Sequence, residues 1–510
     1  MSDIIIFADN TADDLSISLD HVPRIRLTKT AGPYRIATEV RKSGFTCQVI
    51  QFFTLFSTEN IEKICKKFIN NDSLVIAFST TFWQIEKSKI DIAKLILSII
   101  DQSKKLNNNI QIIFGGPNGL NFLDQVDNVD AVFLGYSDKQ FTDYIISIRA
   151  KKEIPIPTKK ENNTLIYDVT SSDQTFDFCR SQIIYQSEDC VDYGEPMVIE
   201  VGRGCIFKCK FCAYPLNGKK KLDFIKHYDV LTEELIYNYE NFGIYKYIIS
   251  DDTFNDSTEK IKELHKIFTS LPFKIYFSCY LRLDLLYAHK EQINLLKEMG
   301  MKGCQFGIES FHDRASSTIG KGLGGDKSKQ FLKELKNELW GNEIKIVVSL
   351  ITGLPHETYE SYKKTKEWIL DSDNLIDSVI NSPLQLYNPI IDFNPYKSEF
   401  QLNATKFGYY WPNSKNKIQW KNLSSPVKSL EEAILINDKL NLAIATSNRK
   451  FLGGFSLFMA DRFVKYFEDY RSFEEQLKMN RFEYTTWIIN NNKKATQLYL
   501  QNYIDSILRL

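Results

Sequence analysis

The chain has 510 residues, 43% of them hydrophobic and 25% charged, as expected for a globular protein of two or three domains. Lysine plus arginine and aspartate plus glutamate number 64 each, so no global field draws the molecule to nucleic acid, although a local patch is still open to it. The nine cysteines are odd in number and clustered, unlike a secreted disulfide framework, and no apolar run reaches the ~20 residues a bilayer span needs.

The opening "MSDIIIFADNTADD" lacks a basic n-region and a small-residue cleavage site, so it reads as a first strand rather than a signal peptide. The expected setting is a reducing cytoplasm, where thiolates are available to a metal. Short, branched apolar runs follow at 4–8, 47–53, 74–79, 110–116 and 130–135. Helix-length amphipathic segments separate them, such as "PYRIATEVRKSG" (33–44) with Gly44 as a stop. This alternation predicts a doubly wound parallel sheet over 1–150. Gly115, Gly116, Pro117 and Gly135 fall just past strand ends, where open α/β sheets place ligands. Residues 151–195 begin with the polar, proline-bearing "KKEIPIPTKKENN" and are expected to form a linker.

From 196 to 390 the alternation resumes with a longer repeat. Candidate strands at 197–202, 245–251, 274–282, 303–310, 344–353 and 378–387 describe a partial barrel of six β/α units, open on one side. Residues 391–510 turn helical and aromatic-rich, and are expected to cap the barrel and recognise substrate.

The stretch "VGRGCIFKCKFCAY" (201–214) holds Cys205, Cys209 and Cys212, spaced Cys-x3-Cys-x2-Cys, past the end of the first barrel strand. Structural zinc sites close with four protein ligands, so zinc would need Cys190, Cys179 or His227 as a fourth. Inert buried thiols are a second reading, opposed by the polar Lys208 and Lys210 between them. A four-iron cluster held by three cysteines leaves one iron open to a small molecule, and the spacing and strand placement favour it.

"CIFKCKFC", with Phe211 before the last cysteine, resembles the signature of the radical S-adenosylmethionine (radical SAM) superfamily. The resemblance continues through "IISDDTF" (248–254), "FSCYLRLD" (277–284), "FGIESF" (306–311) and "SLITGLPHET" (349–358). It implies SAM contacts from Phe211, Ser250, Asp251, Asp252, Ser278 and Arg282, and from Glu309, Ser310, Ile351 and Gly353. It also implies reductive cleavage of SAM to methionine and a 5′-deoxyadenosyl radical that abstracts hydrogen from an unactivated carbon. Each residue also has a plain reading: Asp251 and Asp252 as a helix cap or cation site, Glu309 as a surface carboxylate, Arg282 with Asp284 as an ion pair. Strand alternation independently turns Glu309, Gly307 and Gln305 inward and makes Cys279 and Cys304 core thiols against the helices.

A doubly wound domain ahead of such a barrel resembles the cobalamin-binding class of radical SAM enzymes. That resemblance implies corrin contacts from Ser79, Thr80, Thr81, Gly115, Gly116, Pro117 and Gly135. The sequence departs from His-ligated cobalamin domains: it lacks Asp-x-His-x-x-Gly, His21 is the only histidine in the first 190 residues, and Ser137 replaces a common acid. The expected activity is a cobalamin-dependent methyltransferase acting on a small molecule or peptide, reduced by a flavodoxin or ferredoxin. A SAM-only tailoring or rearrangement enzyme and a non-enzymatic metal-bearing scaffold are the alternatives. The aromatics of 393–413 are candidates to stack a planar substrate, or core, and Lys219, Lys220 and Lys221 are a solvated loop or a phosphate contact.

Overall fold

β1 (Ile4–Ala8), β2 (Cys47–Gln51), β3 (Val75–Ser79), β4 (Gln111–Gly115) and β5 (Ala131–Leu134) pair in parallel, in the order β2-β1-β3-β4-β5. The computed structural model describes residues 1–9, 28–81, 89–169, 176–391, 396–412, 418–446, 451–452, 465–479 and 481–510. Every residue of β1 and β2 is buried, as continuous apolar strands are when helices cover both faces. The strand order reverses at β1 and β3, which makes their C-terminal ends the crevice where such sheets bind ligands.

The sheet does not stop at residue 150. β6 (Lys159–Glu161) and β7 (Thr164–Asp168) form a hairpin, and β7 pairs in parallel with β5. Part of the expected linker is therefore sheet. The lysines and prolines that hid it suit an edge, where one side of the strand faces water.

The second sheet takes β8 (Met197–Ile199), β9 (Lys246–Ile249), β10 (Tyr276–Leu281), β11 (Met301–Glu309), β12 (Lys345–Thr352) and β13 (Ser378–Pro383) as successive parallel neighbours. A two-residue strand, Phe451–Leu452, extends it past β13, which the sequence did not announce. Cys279, Cys304, Phe306, Ile308, Val348 and Leu350 face the helices in one core. The intervening residues, Ser278, Gln305 and Ser349 among them, therefore face the lumen. At its N-terminal end, Ile248, Tyr276 and Val347 pack with Phe467, Met479 and Trp487, so the lumen opens at the strand C-termini.

The last helix, Arg481–Arg509, joins the apolar cluster at the barrel's N-terminal end through Trp487 and runs on to the first domain. Tyr503 accepts a hydrogen bond from the Gln51 amide (3.0 Å), Tyr499 donates to Glu195 (3.1 Å), and Lys67 donates to the Leu508 carbonyl (2.9 Å). Tyrosines one helical turn apart thus bind this helix to the first domain. Among the described residues no helix is long and apolar enough to cross a membrane.

Candidate functional site

Past β8, the amides of Val201 and Gly202 both donate to Asp251 Oδ1, at 3.0 and 2.8 Å, fixing the strand's exit. Gly204 has φ +76°, and a Cβ there would lie 2.5 Å from Leu216 Cβ, so the turn requires glycine. The Cys205 amide donates to the Leu216 carbonyl (3.3 Å), and the Gly218 amide returns to the Cys205 carbonyl (2.7 Å). The three thiols are therefore presented from a loop closed on itself.

Each thiol has polar neighbours. Cys205 Sγ lies 3.2 Å from Thr253 Oγ1 and accepts from the Phe207 amide at 3.4 Å. Arg282 Nη1 donates to Cys209 Sγ (3.4 Å) and Asn217 Nδ2 to Cys212 Sγ (3.2 Å). Burial raises the Cys205 thiol and pushes Cys212 up to about 11, so a cation must displace their protons. Among the described residues no three His, Cys, Asp or Glu side chains converge on one metal ion. A cubane asks for no such convergence, because each thiolate binds a different iron. Three thiols with N–H donors at sulfur fit a four-iron cluster.

Around this loop the expected SAM residues divide into two groups. Arg282 stacks on Phe207, 3.7 Å from the ring centroid, and grips Asp284 at 2.5 Å, with both arms of its fork used. Glu309 has φ +65°, just after a register shift between Gly307 and Glu309. It lies 3.5 Å from Lys321, and burial raises its carboxyl against the opposing pull of that lysine and Arg282. Among the described residues Ser278 Oγ is buried without a hydrogen-bond partner on the lumen side of β10, Ser250 is exposed but donates its hydroxyl to the Ile199 carbonyl (3.2 Å), and Phe211 and Ile351 edge one apolar cluster.

The other four are largely engaged by the scaffold. Asp251 also accepts from Lys260 (3.0 Å), so both its oxygens hold backbone or core. Ser310 donates its hydroxyl to the buried Glu357, which also binds Ser361. Both backbone groups of Gly353 are taken, its amide by Tyr362 Oη (2.8 Å) and its carbonyl by Tyr409 Oη (2.9 Å). Asp252 is half-buried; burial, and then Asp251, push its carboxyl up to about 6. Lys219 is no surface charge, being buried near Asp256 (3.9 Å). Phe400, Tyr409 and Trp420 are core, while 393–395 and 413 of the aromatic stretch lie outside the described residues.

Sequence reasoning missed Arg203, two residues before Cys205. Its guanidinium grips Asp138 of the first domain with both arms (2.8 and 3.1 Å) and Glu200 at 3.0 Å, between the rings of Tyr136 and Phe178. Arg35 of the first domain reaches Glu200 as well, at 2.8 Å. Asp138 follows β5 and Arg203 follows β8, so the C-terminal edges of the two sheets meet here. On the first domain's edge, Gly116 has φ +108°, and a Cβ there would sit 2.8 Å from Thr81 Oγ1. Gly115 is looser, with only Phe78 O at 4.0 Å from its own Cβ position. Thr80 is buried and donates to the Gly115 carbonyl (3.1 Å), Thr81 is exposed, Ser79 and Pro117 are half-buried, and Gly135 has φ +87°. His21 lies outside the described residues.

The radical SAM superfamily profile matches residues 199–369. An uncharacterized methyltransferase of Pyrococcus horikoshii is 26% identical over 289 residues, 52% of this chain and 58% of that relative. The chain spans about half the length of the curated relatives it matches. Among solved structures, the radical SAM methyltransferase TsrM of Kitasatospora setae, with cobalamin and a 4Fe-4S cluster bound, superposes with a TM-score of 0.66 at 13% identity, over 98% of this chain and 100% of that one. The cobalamin-dependent SAM radical enzyme OxsB, with aqua-cobalamin and SAM bound, gives a TM-score of 0.55 at 13% identity, over 99% of this chain and 72% of that one. At that identity the likeness is one of fold. The three-cysteine loop at the end of the first barrel strand thus lies inside the segment, residues 199–369, that matches the radical SAM superfamily, on a chain with the two-domain fold that TsrM and OxsB share.

Proposed function

We propose that the chain is a cobalamin-dependent radical SAM methyltransferase acting on an unactivated carbon of a small molecule or peptide. The observation that carries this reading is the joint between the sheets: Arg203 and Asp138 hold the ligand edge of the first domain against the cysteine loop. When bound, a four-iron cluster supplies the electron that cleaves SAM, and cobalamin supplies a methyl carrier. Cys205, Cys209 and Cys212 would hold the cluster. Arg282 donates to Cys209 sulfur and would offset the negative charge of a cluster held there. Ser278 Oγ and the Glu309–Lys321 pair offer the lumen a hydroxyl, a carboxylate and an ammonium for SAM's polar groups, with Phe211 and Ile351 as apolar wall. The first domain's edge, at Ser79, Thr81, Gly115, Gly116, Pro117 and Gly135, would receive cobalamin.

The test is product analysis with methyl-labelled SAM under a chemical reductant. Appearance of 5′-deoxyadenosine and S-adenosylhomocysteine, with label passing to protein-bound corrin, supports the reading; 5′-deoxyadenosine alone, with no label on corrin, contradicts the methyltransferase part. Two substitutions separate the half-sites. Glu309→Gln is expected to weaken SAM binding about tenfold or more, the value of a charged hydrogen bond, with iron content unchanged. Unchanged affinity by calorimetric titration would remove Glu309 from the site. Gly116→Val forces a β-branched residue to positive φ against Thr81, costing on the order of 1–3 kcal/mol locally. Retained corrin is expected to fall while iron stays; full corrin retention would place the ligand elsewhere.

A further inference from the structure

Residues 251–256 link β9 to the helix Thr258–Ser270, and the proposed chemistry leaves them unused. Asp251 Oδ1 takes the Val201 and Gly202 amides at the entry to the cysteine loop. Thr253 Oγ1 lies 3.2 Å from Cys205 Sγ. Asn255 binds the backbone of Arg282 at both its amide (2.9 Å) and its carbonyl (3.1 Å), and Arg282 in turn donates to Cys209 Sγ. Asp256 Oδ2, buried and without a hydrogen-bond partner among the described residues, stands 3.9 Å from the Lys219 ammonium at the loop's exit. Lys219 is fixed there, because its amide donates to the Cys205 carbonyl (3.2 Å) and its Nζ to the Asp223 carbonyl (2.9 Å).

Lys260 closes this segment on itself. Its Nζ donates to Asp251 Oδ2 at 3.0 Å and to Asp256 Oδ1 at 3.1 Å, with all three side chains at most 2% exposed. Ser257 caps the helix and accepts from the Lys260 amide, which places Lys260 in the first turn, one turn past Asp256. A cation there opposes the helix dipole, and its full burial forfeits hydration. Stability alone would be served as well by apolar residues of similar volume, whereas three buried charges define a single geometry. We propose that Lys260 is a positioning residue: by tying Asp251 to Asp256 it holds the entry and the exit of the cysteine loop at a fixed separation, so that the three thiols are spaced for a cluster before iron arrives. This role rests on the cluster site proposed above. Lys260 acts through Asp251 at one end of the loop and through Asp256 and Lys219 at the other. Thr253 and Asn255, lying between the two tied residues, carry the same constraint to Cys205 and, by way of Arg282, to Cys209.

The test uses the full chain before and after cluster loading, as wild type, Lys260→Met and Lys219→Met. The second variant frees only the loop's exit and leaves Lys260 on both carboxylates, which keeps the test decisive if Lys260→Met folds poorly. Before loading, hydrogen exchange is followed at the Gly218 and Lys219 amides, both of which donate to the Cys205 carbonyl. It is expected to quicken about tenfold or more in each variant, the value of a charged hydrogen bond, with β11 amides unchanged in Lys219→Met. Alkylation located by peptide mapping is expected to rise at Cys205, Cys209 and Cys212 and not at Cys179 or Cys190. After loading and reduction, the electron paramagnetic resonance spectrum is expected to change from one cluster species to a mixture in both variants, which a loss of global stability alone would not produce. Unchanged loop exchange in both variants would overturn the proposal. So would a rise confined to Lys260→Met and shared with the core thiols Cys279 and Cys304. A wild type that takes up no iron would overturn the cluster reading instead, with exchange in the unloaded chain still deciding the role of Lys260.

Discussion

Cys212→Ala is expected to abolish SAM cleavage outright, with 5′-deoxyadenosine falling to background and bound iron lost or sharply reduced. Three thiols on one closed loop are the whole donor set that the loop offers, and Cys212 sits where Asn217 Nδ2 already points at its sulfur. The packing cost of removing one sulfur from a half-buried position is about 1 kcal/mol, too small to unfold the chain. Loss of activity with the fold retained, judged by circular dichroism, therefore separates ligation from packing. Cys279→Ala is the control: that thiol is fully buried against Met301 and should cost stability while leaving cleavage intact. Full cleavage by the Cys212 variant would remove the cluster from this loop.

Arg203→Ala should be the most destabilising of the single substitutions considered, by about 3–5 kcal/mol, because it strips the buried Asp138 of its two-armed partner and leaves the half-buried Glu200 with Arg35 alone at close range. Burial alone would raise Glu200, yet Arg203, Arg35 and then Lys226 hold it well below the ordinary carboxylate range. The sign follows from that depression. Glu200 contributes stability above its unfolded pKa of about 4.3 and loses it as pH falls toward its folded value. The gap between variant and wild type should accordingly be widest near neutral pH and narrow below about pH 4. Thermal melts across that range measure it, and a gap that does not narrow in acid would contradict the electrostatic account. Arg203→Lys keeps the charge but loses the two-armed grip on Asp138, so it should recover only part of the stability. If the joint also aligns the two edges, methyl transfer should fall further than SAM cleavage in the lysine variant.

The strands were the most legible part of the sequence. Branched apolar runs predicted β4 at 110–116 and it spans Gln111–Gly115; period-two alternation placed Cys279 and Cys304 against the helices, where they lie. The cysteine loop was legible because its chemistry is local in sequence. What escaped was long-range or conformational. Arg203 and Asp138 are 65 positions apart and on different domains, so no spacing links them. Glu309 lies past a register shift, and its positive φ is invisible to strand parity. Asp251 resembled a cofactor contact, yet its acceptors are consumed by two amides and Lys260, partners known only once β8 and β9 are side by side. The final helix read as a barrel cap, and Trp487 does pack at the barrel's N-terminal end, but its tyrosines do not reveal that its second half meets the first domain; Gln51 and Glu195 decide that.

The measurement that bears most directly on the account is anaerobic reconstitution with iron and sulfide in the presence of hydroxocobalamin, followed by desalting, metal analysis and an absorption spectrum. The account predicts about four irons and close to one corrin retained per chain, with corrin but not iron falling in Gly116→Val. Iron without corrin would contradict the two-cofactor reading and leave the first domain as a scaffold for the barrel. A single zinc with no iron would contradict the cluster itself.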